Sequence, residues 1–142
     1  MIEYQTFFIP YKTKTNMEKG VGVILKKNGK ILLQLRNDKK SIASPNCWGP
    51  FGGCVNKGET FEQAAIREIK EELGITLDKN KLEPAQQTKT NTYFRYPLKH
   101  KISELKLNEG QDMKLFTKQE VLKLKNTTPG LKEGIIENWK DA

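Results

Sequence analysis

The sequence predicts a layered domain of the α+β or α/β class, in which a mixed β-sheet is flanked by α-helices. Three patterns predict it. Apolar residues alternate on both sides of the Asn28-Gly29 pair. They recur every four positions from Phe61 to Leu73. Strand-like segments after residue 88 then give way to two segments with helix-start signals. The 142 residues match one domain, 1–142, and suffice to bury a core without disulfide or metal staples.

Gly20 to Lys26 reads as a strand, with Val21, Val23 and Leu25 alternating. Lys27-Asn28-Gly29-Lys30 is a turn, because Asn and Gly both tolerate positive φ, and Ile31 to Arg36 is the return strand. Asn37 to Asn46 is polar, contains Pro45 and reads as a loop. Thr60 to Leu73 is the strongest helix. Thr60 and Gln63 form a capping-box pattern, and Glu62 suits the positive end of the helix dipole. Phe61, Ala65, Ile69 and Leu73 form a core-facing stripe, and Gly74 is placed to end the helix in a left-handed conformation. Lys89–Tyr96 and His100–Leu107 have strand character, and Met113–Phe116 is a shorter strand. Thr117, with Glu120 three residues on, starts a second helix. Thr128-Pro129 opens a third, whose buried face is expected to hold Leu131, Ile135, Ile136 and Trp139.

Hydrophobic residues make up 36% of the chain and charged residues 30%, a globular balance. No apolar run approaches the ~20 residues a membrane-spanning helix requires. Met1 to Gly20 carries scattered Lys and Glu, so no secretory signal is expected there. Cys47 and Cys54 lack the spacing of a zinc site, His100 is the only histidine, and two thiols make no disulfide framework. A reduced, cytoplasmic setting is the expectation.

The formal charge is +8, but it is uneven. Gly53 to Ile75 holds three basic and five acidic residues, a net −2, which leaves +10 on the remainder. Within that acidic island Glu68, Glu71 and Glu72 stand at i, i+3 and i+4, inside an arc of roughly 100° on a helix. Like charges at such spacing repel by tenths of a kcal/mol per pair. The face is either solvated and eased by Lys70 or a site for a hard cation, Mg²⁺ or Mn²⁺, held by converging oxygens. Gly52-Gly53 before the helix and Gly58-Glu59 at its mouth allow close backbone approach to an ion or phosphate.

Written out, the segment is Gly53, five residues, Glu59, seven residues, then Arg67-Glu68-Ile69-Lys70-Glu71-Glu72-Leu73-Gly74-Ile75. It resembles the 23-residue signature of the Nudix hydrolases, G-x5-E-x7-R-E-U-x-E-E-x-G-U, with U aliphatic. Seven fixed letters and two aliphatic positions match, a coincidence on the order of 10⁻⁹ per starting point at ordinary residue usage. The 21–36 hairpin, Trp48–Gly53 and Asn108-Glu109-Gly110-Gln111 also resemble features of that family in the same order. Phe51 departs from the proline many members carry before the glycine pair.

The resemblance implies a mixed sheet sandwiched between helices, with the signature as loop-helix-loop. It implies a metal-dependent pyrophosphohydrolase that cleaves a nucleoside diphosphate linked to a group X. Glu68 and Glu72 match the principal metal-binding glutamates, Glu71 a further ligand, Glu109 a glutamate from a later loop, and the Gly52 carbonyl a backbone ligand. Mg²⁺ or Mn²⁺ is the implied cofactor. Either Glu68 or Glu109 would be the general base, and Glu109 otherwise reads as a turn residue beside Gly110. Arg67 would fix a neighbouring carboxylate, and Glu59 would tie the loop to the helix. Gly53 and Gly74 are structural.

Substrate contacts lie outside the signature. Trp48, Phe51, Tyr93, Phe94 and Tyr96 either stack on a base or fill core, and Arg36 and Arg95 either hold phosphate or face solvent. Thr90 and Asn91 stand where the ADP-ribose branch often has proline. A nucleoside triphosphate is the favoured substrate, with a nucleotide sugar, an RNA 5′ end or a binding module that has lost activity as alternatives. The expected partner is a small nucleotide and no membrane. Nucleic acid is not favoured, and the chain is expected to be a monomer or homodimer.

Overall fold

The computed structural model describes residues 19–139. Met1–Glu18, most of the segment read as lacking a secretory signal, lies outside them. The strands are β1 (Gly20–Lys27), β2 (Lys30–Leu35), β3 (Trp48–Gly49), β4 (Phe51–Cys54), β5 (Glu83–Gln87), β6 (Asn91–Pro97) and β7 (Asp112–Phe116). The helices are α1 (Phe61–Leu73), α2 (Lys118–Lys123) and α3 (Leu131–Asn138). No helix among the described residues is long and apolar enough to cross a membrane.

All seven strands form one mixed sheet in the order β3-β2-β1-β6-β5, with β4 also beside β1 and β7 beside β2. β1 and β6 run parallel, and the other pairs are antiparallel. One edge of β1 changes partner midway. Its first half pairs with β4 (Gly22 opposite Gly52, Val23 opposite Phe51), and its second half with β2 (Leu25 opposite Leu32). That division carries the chain from β4 straight into the loop before α1.

Strand alternation sends side chains to two cores. Val21, Val23, Leu25, Leu32 and Phe51 pack with Ala65, Ile69 and Leu73 of α1. Ile31 and Leu33 pack on the other face with Phe116, Val121, Leu131 and Ile135. The expected sandwich is therefore present. α1 starts at Thr60, whose hydroxyl accepts from the Gln63 N–H, while the Gln63 side chain accepts from the Thr60 N–H. It ends at Gly74 with φ 77°. The Thr117–Glu120 capping box also forms.

Four expectations are corrected. His100–Leu107 is not a strand but a short 3₁₀ turn at Ile102–Glu104 within irregular chain, because its N–H groups bond locally or to the end of α1. β5 was not foreseen: Glu83-Pro84-Ala85-Gln86-Gln87 lacks apolar alternation, and β6 recruits it through pairing. α3 begins after Gly130, in the left-handed region, rather than at Thr128-Pro129. Ile136 is 58% exposed, while Leu131 and Ile135 are buried.

Phe51 and Trp48 are also reassigned. Phe51 is fully buried among the α1-side residues. Trp48 sits edge-on to Phe116, ring centroids 4.9 Å apart, against the second core. Phe51 is therefore no free stacking platform, while Trp48 is half-buried. Phe51→Ala is expected to cost about 3–5 kcal/mol in denaturant unfolding, whereas Phe51→Leu costs less than about 1.5 kcal/mol. A raised KM with unchanged stability in Phe51→Ala would return the ring to a substrate role.

Candidate active site

The site is assembled where α1 crosses β4. At Gly52 the chain adopts φ 154°, and a Cβ there would lie 2.0 Å from the Val21 carbonyl oxygen. At Gly53 a Cβ would lie 2.4 Å from the Glu68 carboxyl carbon. At Gly52 only glycine lets the strand approach β1 this closely, while at Gly53 the obstacle is the movable end of the Glu68 side chain. The bare backbone serves as a hydrogen-bond surface: the Gly52 N–H donates to the Glu72 carboxylate at 3.1 Å.

Arg67 organises the neighbouring carboxylates. Its Nε and one terminal nitrogen donate to Glu59 at 2.7 and 3.0 Å, a two-pronged pair. The same terminal nitrogen donates to the Cys54 carbonyl at 2.8 Å. The other terminal nitrogen reaches Glu68 at 2.9 Å and Glu71 at 3.4 Å. Glu59 also accepts from the Asn56 N–H at 2.8 Å, so loop, strand end and helix are joined through one guanidinium. These bonds hold the Glu59 carboxyl below the usual carboxylate range and raise the already high Arg67 value. Arg67 joins the strand end to the helix, and Glu59 ties the loop to the helix.

Glu72 has the opposite environment. It is buried, and burial together with the charges of Glu68 and Glu109 pushes its carboxyl up to about 8. The Gly52 N–H and the Arg36 charge oppose that rise without cancelling it. Glu109 reaches this neighbourhood because its loop caps the end of α1. The Asn108 N–H donates to the Glu72 carbonyl at 3.0 Å and its side chain to the Glu71 carbonyl at 2.7 Å. The Gln111 side chain pins the same loop to the Arg36 carbonyl and to Asn46.

The structure thus brings Glu68, Glu72 and Glu109 into one field and leaves Glu71 aside. The Glu71 side chain is 59% exposed and turned to Arg67. Among the described residues no three His, Cys, Asp or Glu side chains already gather as a metal cage. The expected convergence of three helix glutamates is therefore not formed, because Arg67 draws two of them toward itself. The donor chemistry still fits a hard divalent cation: a buried carboxyl with one N–H partner lies beside two further carboxylates, Glu68 and Glu109, and an ion would favour its charged form.

On the sheet face opposite α1, a cavity of 410 Å³ lies between β1, β5, β6 and α3. Tyr93 and Arg95 line it, as do Gln86 and Asn91. Pro50, two residues from Gly52, stands in its wall. The Tyr93 ring lies over Gly22, where a Cβ would be 2.6 Å away. Arg95 is buried and bonded to Glu83 at 2.9 Å. Arg36 donates to the Ala43 carbonyl at 2.9 Å, so it clamps the 37–46 loop as well as acting on Glu72. Phe94 and Tyr96 are buried on the α1 side. Sequence reasoning marked the Asn108–Gln111 segment for Glu109 without reading the anchoring contacts of Asn108 and Gln111, and it missed Gln86. Gln34 was a readable signal, a buried amide inside an apolar strand that donates to the Pro50 carbonyl at 3.4 Å.

A carboxyl that holds its proton more tightly folded than unfolded favours folding below its unfolded value and loses that advantage as pH rises through its folded value. Metal-free protein is therefore expected to lose stability between pH 4.5 and about 8 on account of Glu72. Thermal unfolding of Glu72→Gln should show a flatter slope across that window. An unchanged slope would remove Glu72 as its source.

The family profile described as NUDIX domain matches residues 17–137. Over 56 residues the chain is 45% identical to an oxidized purine nucleoside triphosphate hydrolase of Danio rerio, covering 39% of this chain and 34% of that protein. Over 58 residues it is 40% identical to the m7GpppN-mRNA hydrolase NUDT17 of Xenopus laevis, covering 41% and 20% respectively. The chain thus spans about a third or less of the length of these curated relatives. In fold it is similar to the MutT NUDIX hydrolase of Burkholderia pseudomallei, with TM-score 0.68 and 22% identity over 84% of this chain and 96% of that one.

Proposed function

This chain belongs to the Nudix family, and from that premise we propose that it is a divalent-metal-dependent pyrophosphohydrolase acting on a nucleoside triphosphate. The buried Glu72, bonded to Gly52 and hemmed in by Glu68 and Glu109, carries the reading. Those three carboxylates and the Gly52 carbonyl are the donors that would hold Mg²⁺ or Mn²⁺. When bound, such an ion offsets the charge of a diphosphate and acidifies water. With Glu68 engaged by such an ion, Arg67 would retain Glu59 and the Cys54 carbonyl as partners.

The reaction balances simply. A water oxygen bonds to phosphorus and the phosphoanhydride P–O bond breaks. The leaving pyrophosphate takes the electron pair, and a carboxylate takes the water's proton. Glu68 and Glu109 are the candidate bases. The 410 Å³ cavity is the size of a small-molecule site, with Tyr93 as a stacking surface for the nucleoside. The triphosphate in the name of the Danio rerio relative supports this substrate. The free thiols of Cys47 and Cys54 suit a reducing, cytoplasmic setting.

Nucleoside triphosphates, nucleotide sugars and dinucleoside polyphosphates tested side by side should show pyrophosphate release from a triphosphate only with divalent metal. Glu68→Gln or Glu72→Gln should lower kcat by roughly 10²–10⁴-fold while keeping the fold. Near-wild-type turnover in Glu72→Gln, or inertness across the panel with Mg²⁺ and Mn²⁺, would sink the assignment. Tyr93→Ala should raise KM roughly tenfold with little change in kcat.

A further inference from the structure

The cavity beside Tyr93 is walled largely by apolar side chains, among them Ile24, Leu131, Ile135 and Trp139. A charged group in such a wall is costly unless it is paired. Arg95 of β6 is such a group: it is only 9% exposed, and it lines the cavity. A guanidinium carries five N–H donors and no acceptor. In Arg95 the Nε donates to Glu83 at 2.9 Å and one terminal nitrogen donates to the Pro84 carbonyl at 3.2 Å. The other terminal nitrogen has no protein acceptor among the described residues. Buried donors are seldom left without a partner, so this one suits an acceptor carried by a ligand.

Three features say which acceptor. Glu83 already offsets the charge of the guanidinium, and the surrounding walls are apolar, so a neutral ring fits the cavity better than a phosphate. Arg95 and Tyr93 share one face of β6, two residues apart, which is about 7 Å at about 3.3 Å per residue. A base stacked on Tyr93 therefore turns an edge toward the guanidinium. The amides that line the cavity are already committed within the protein. Asn91 donates to the Tyr93 hydroxyl at 3.1 Å, Asn138 to the Gly134 carbonyl at 3.1 Å and Gln86 to Glu137 at 3.5 Å. The other cation of the cavity, Lys26, lies over the Trp139 ring, 5.8 Å from its centre.

We propose that Arg95 is the specificity-determining residue of this cavity, and that it selects an oxopurine, guanine or hypoxanthine, over the aminopurine adenine. This rests on the pyrophosphohydrolase reading and names the base of its triphosphate. An oxopurine presents N7 and O6 as adjacent acceptors, which suit a guanidinium that can only donate. Adenine presents the N6 amino group beside N7. It would set N–H against N–H and leave the Arg95 donor unpaired. Reading adenine takes an amide that turns its oxygen and its N–H to the base together, and the three amides here direct their nitrogens at protein acceptors.

The test follows turnover of GTP, ITP and ATP with Mg²⁺, and metal-free binding of the same nucleotides through tryptophan fluorescence. The proteins compared are the wild type, Arg95→Gln and Arg95→Lys. Wild-type kcat/KM and affinity should favour GTP and ITP over ATP by about tenfold or more. Arg95→Gln places an amide at that point and should bring ATP level with GTP or ahead of it. The change should fall on KM rather than kcat, and a damaged fold does not produce a relative gain for ATP. Arg95→Lys keeps a donor and should keep part of the oxopurine preference. Wild-type binding and turnover indifferent to the base overturn the role of Arg95 whatever the variants do, and so does a preference unchanged in Arg95→Gln. Both results spare the catalytic reading. Base-selective binding that depends on Arg95, with no turnover of any triphosphate, keeps the role of Arg95 and overturns the catalytic reading instead.

Discussion

Helix α1 lies over β4 where the strand runs as two bare glycines. The Gly52 position is barred to any Cβ by the Val21 carbonyl, while at Gly53 a Cβ would meet the movable end of the Glu68 side chain. The helix in turn buries Ala65, Ile69 and Leu73 against β1 and β4, which holds the carboxylates over bare backbone. Strand pairing, helix packing and the acidic cluster are thus one constraint. A larger residue at Gly52 would push β4 off β1 and shift the N–H that donates to the Glu72 carboxylate. The division of β1 between β4 and β2 serves the same geometry, since it frees the chain after Cys54 to turn into the loop that Glu59 and Arg67 close.

Elements with local causes were legible in the sequence. The Asn28-Gly29 turn, the capping boxes at Thr60 and Thr117, and the Gly74 terminus each depend on a few adjacent residues, and each formed. Elements created by distant partners were not. β5 contains Pro84 and two glutamines, and it exists because β6 offers it an edge. His100–Leu107 has strand-like composition, but Lys106 and Asn108 donate to carbonyls at the end of α1, which bends the segment away from any sheet. The aromatic assignments divided on the same principle. Strand alternation places Phe94 and Tyr96 on the α1 face and Tyr93 on the other. For Trp48 and Phe51 no alternating run was visible from which to read a face.

The site was legible as a list of residues and illegible as a geometry. Spacing picked out Glu59, Arg67, Glu68, Glu71 and Glu72, yet their arrangement depends on which carboxylates the guanidinium takes. That choice involves the Cys54 carbonyl, thirteen residues away, and the Asn56 N–H. The roles of Asn108 and Gln111 depend on a loop returning to the end of α1 from 36 or more positions later in the chain. The sequence pattern isolates their segment, but neither residue carries charge or periodicity that would tell which carbonyls it reaches.

The resulting electrostatics are asymmetric in a way that matters for chemistry. Arg67 stabilises Glu59 as a charged group and bonds to Glu68, whereas Glu72 is buried with two acidic neighbours and a single N–H donor. A folded chain with a net charge of +8 could have neutralised that point with a lysine, but its positive charge lies elsewhere, including the far end of β1. Keeping cations out of contact with Glu72 leaves a carboxylate whose ionisation works against the fold unless an external cation accompanies it. Strain of this kind persists where the surroundings over-determine it: the capped helix, the glycine pair and the Arg67 network hold Glu72 in place against its own repulsion.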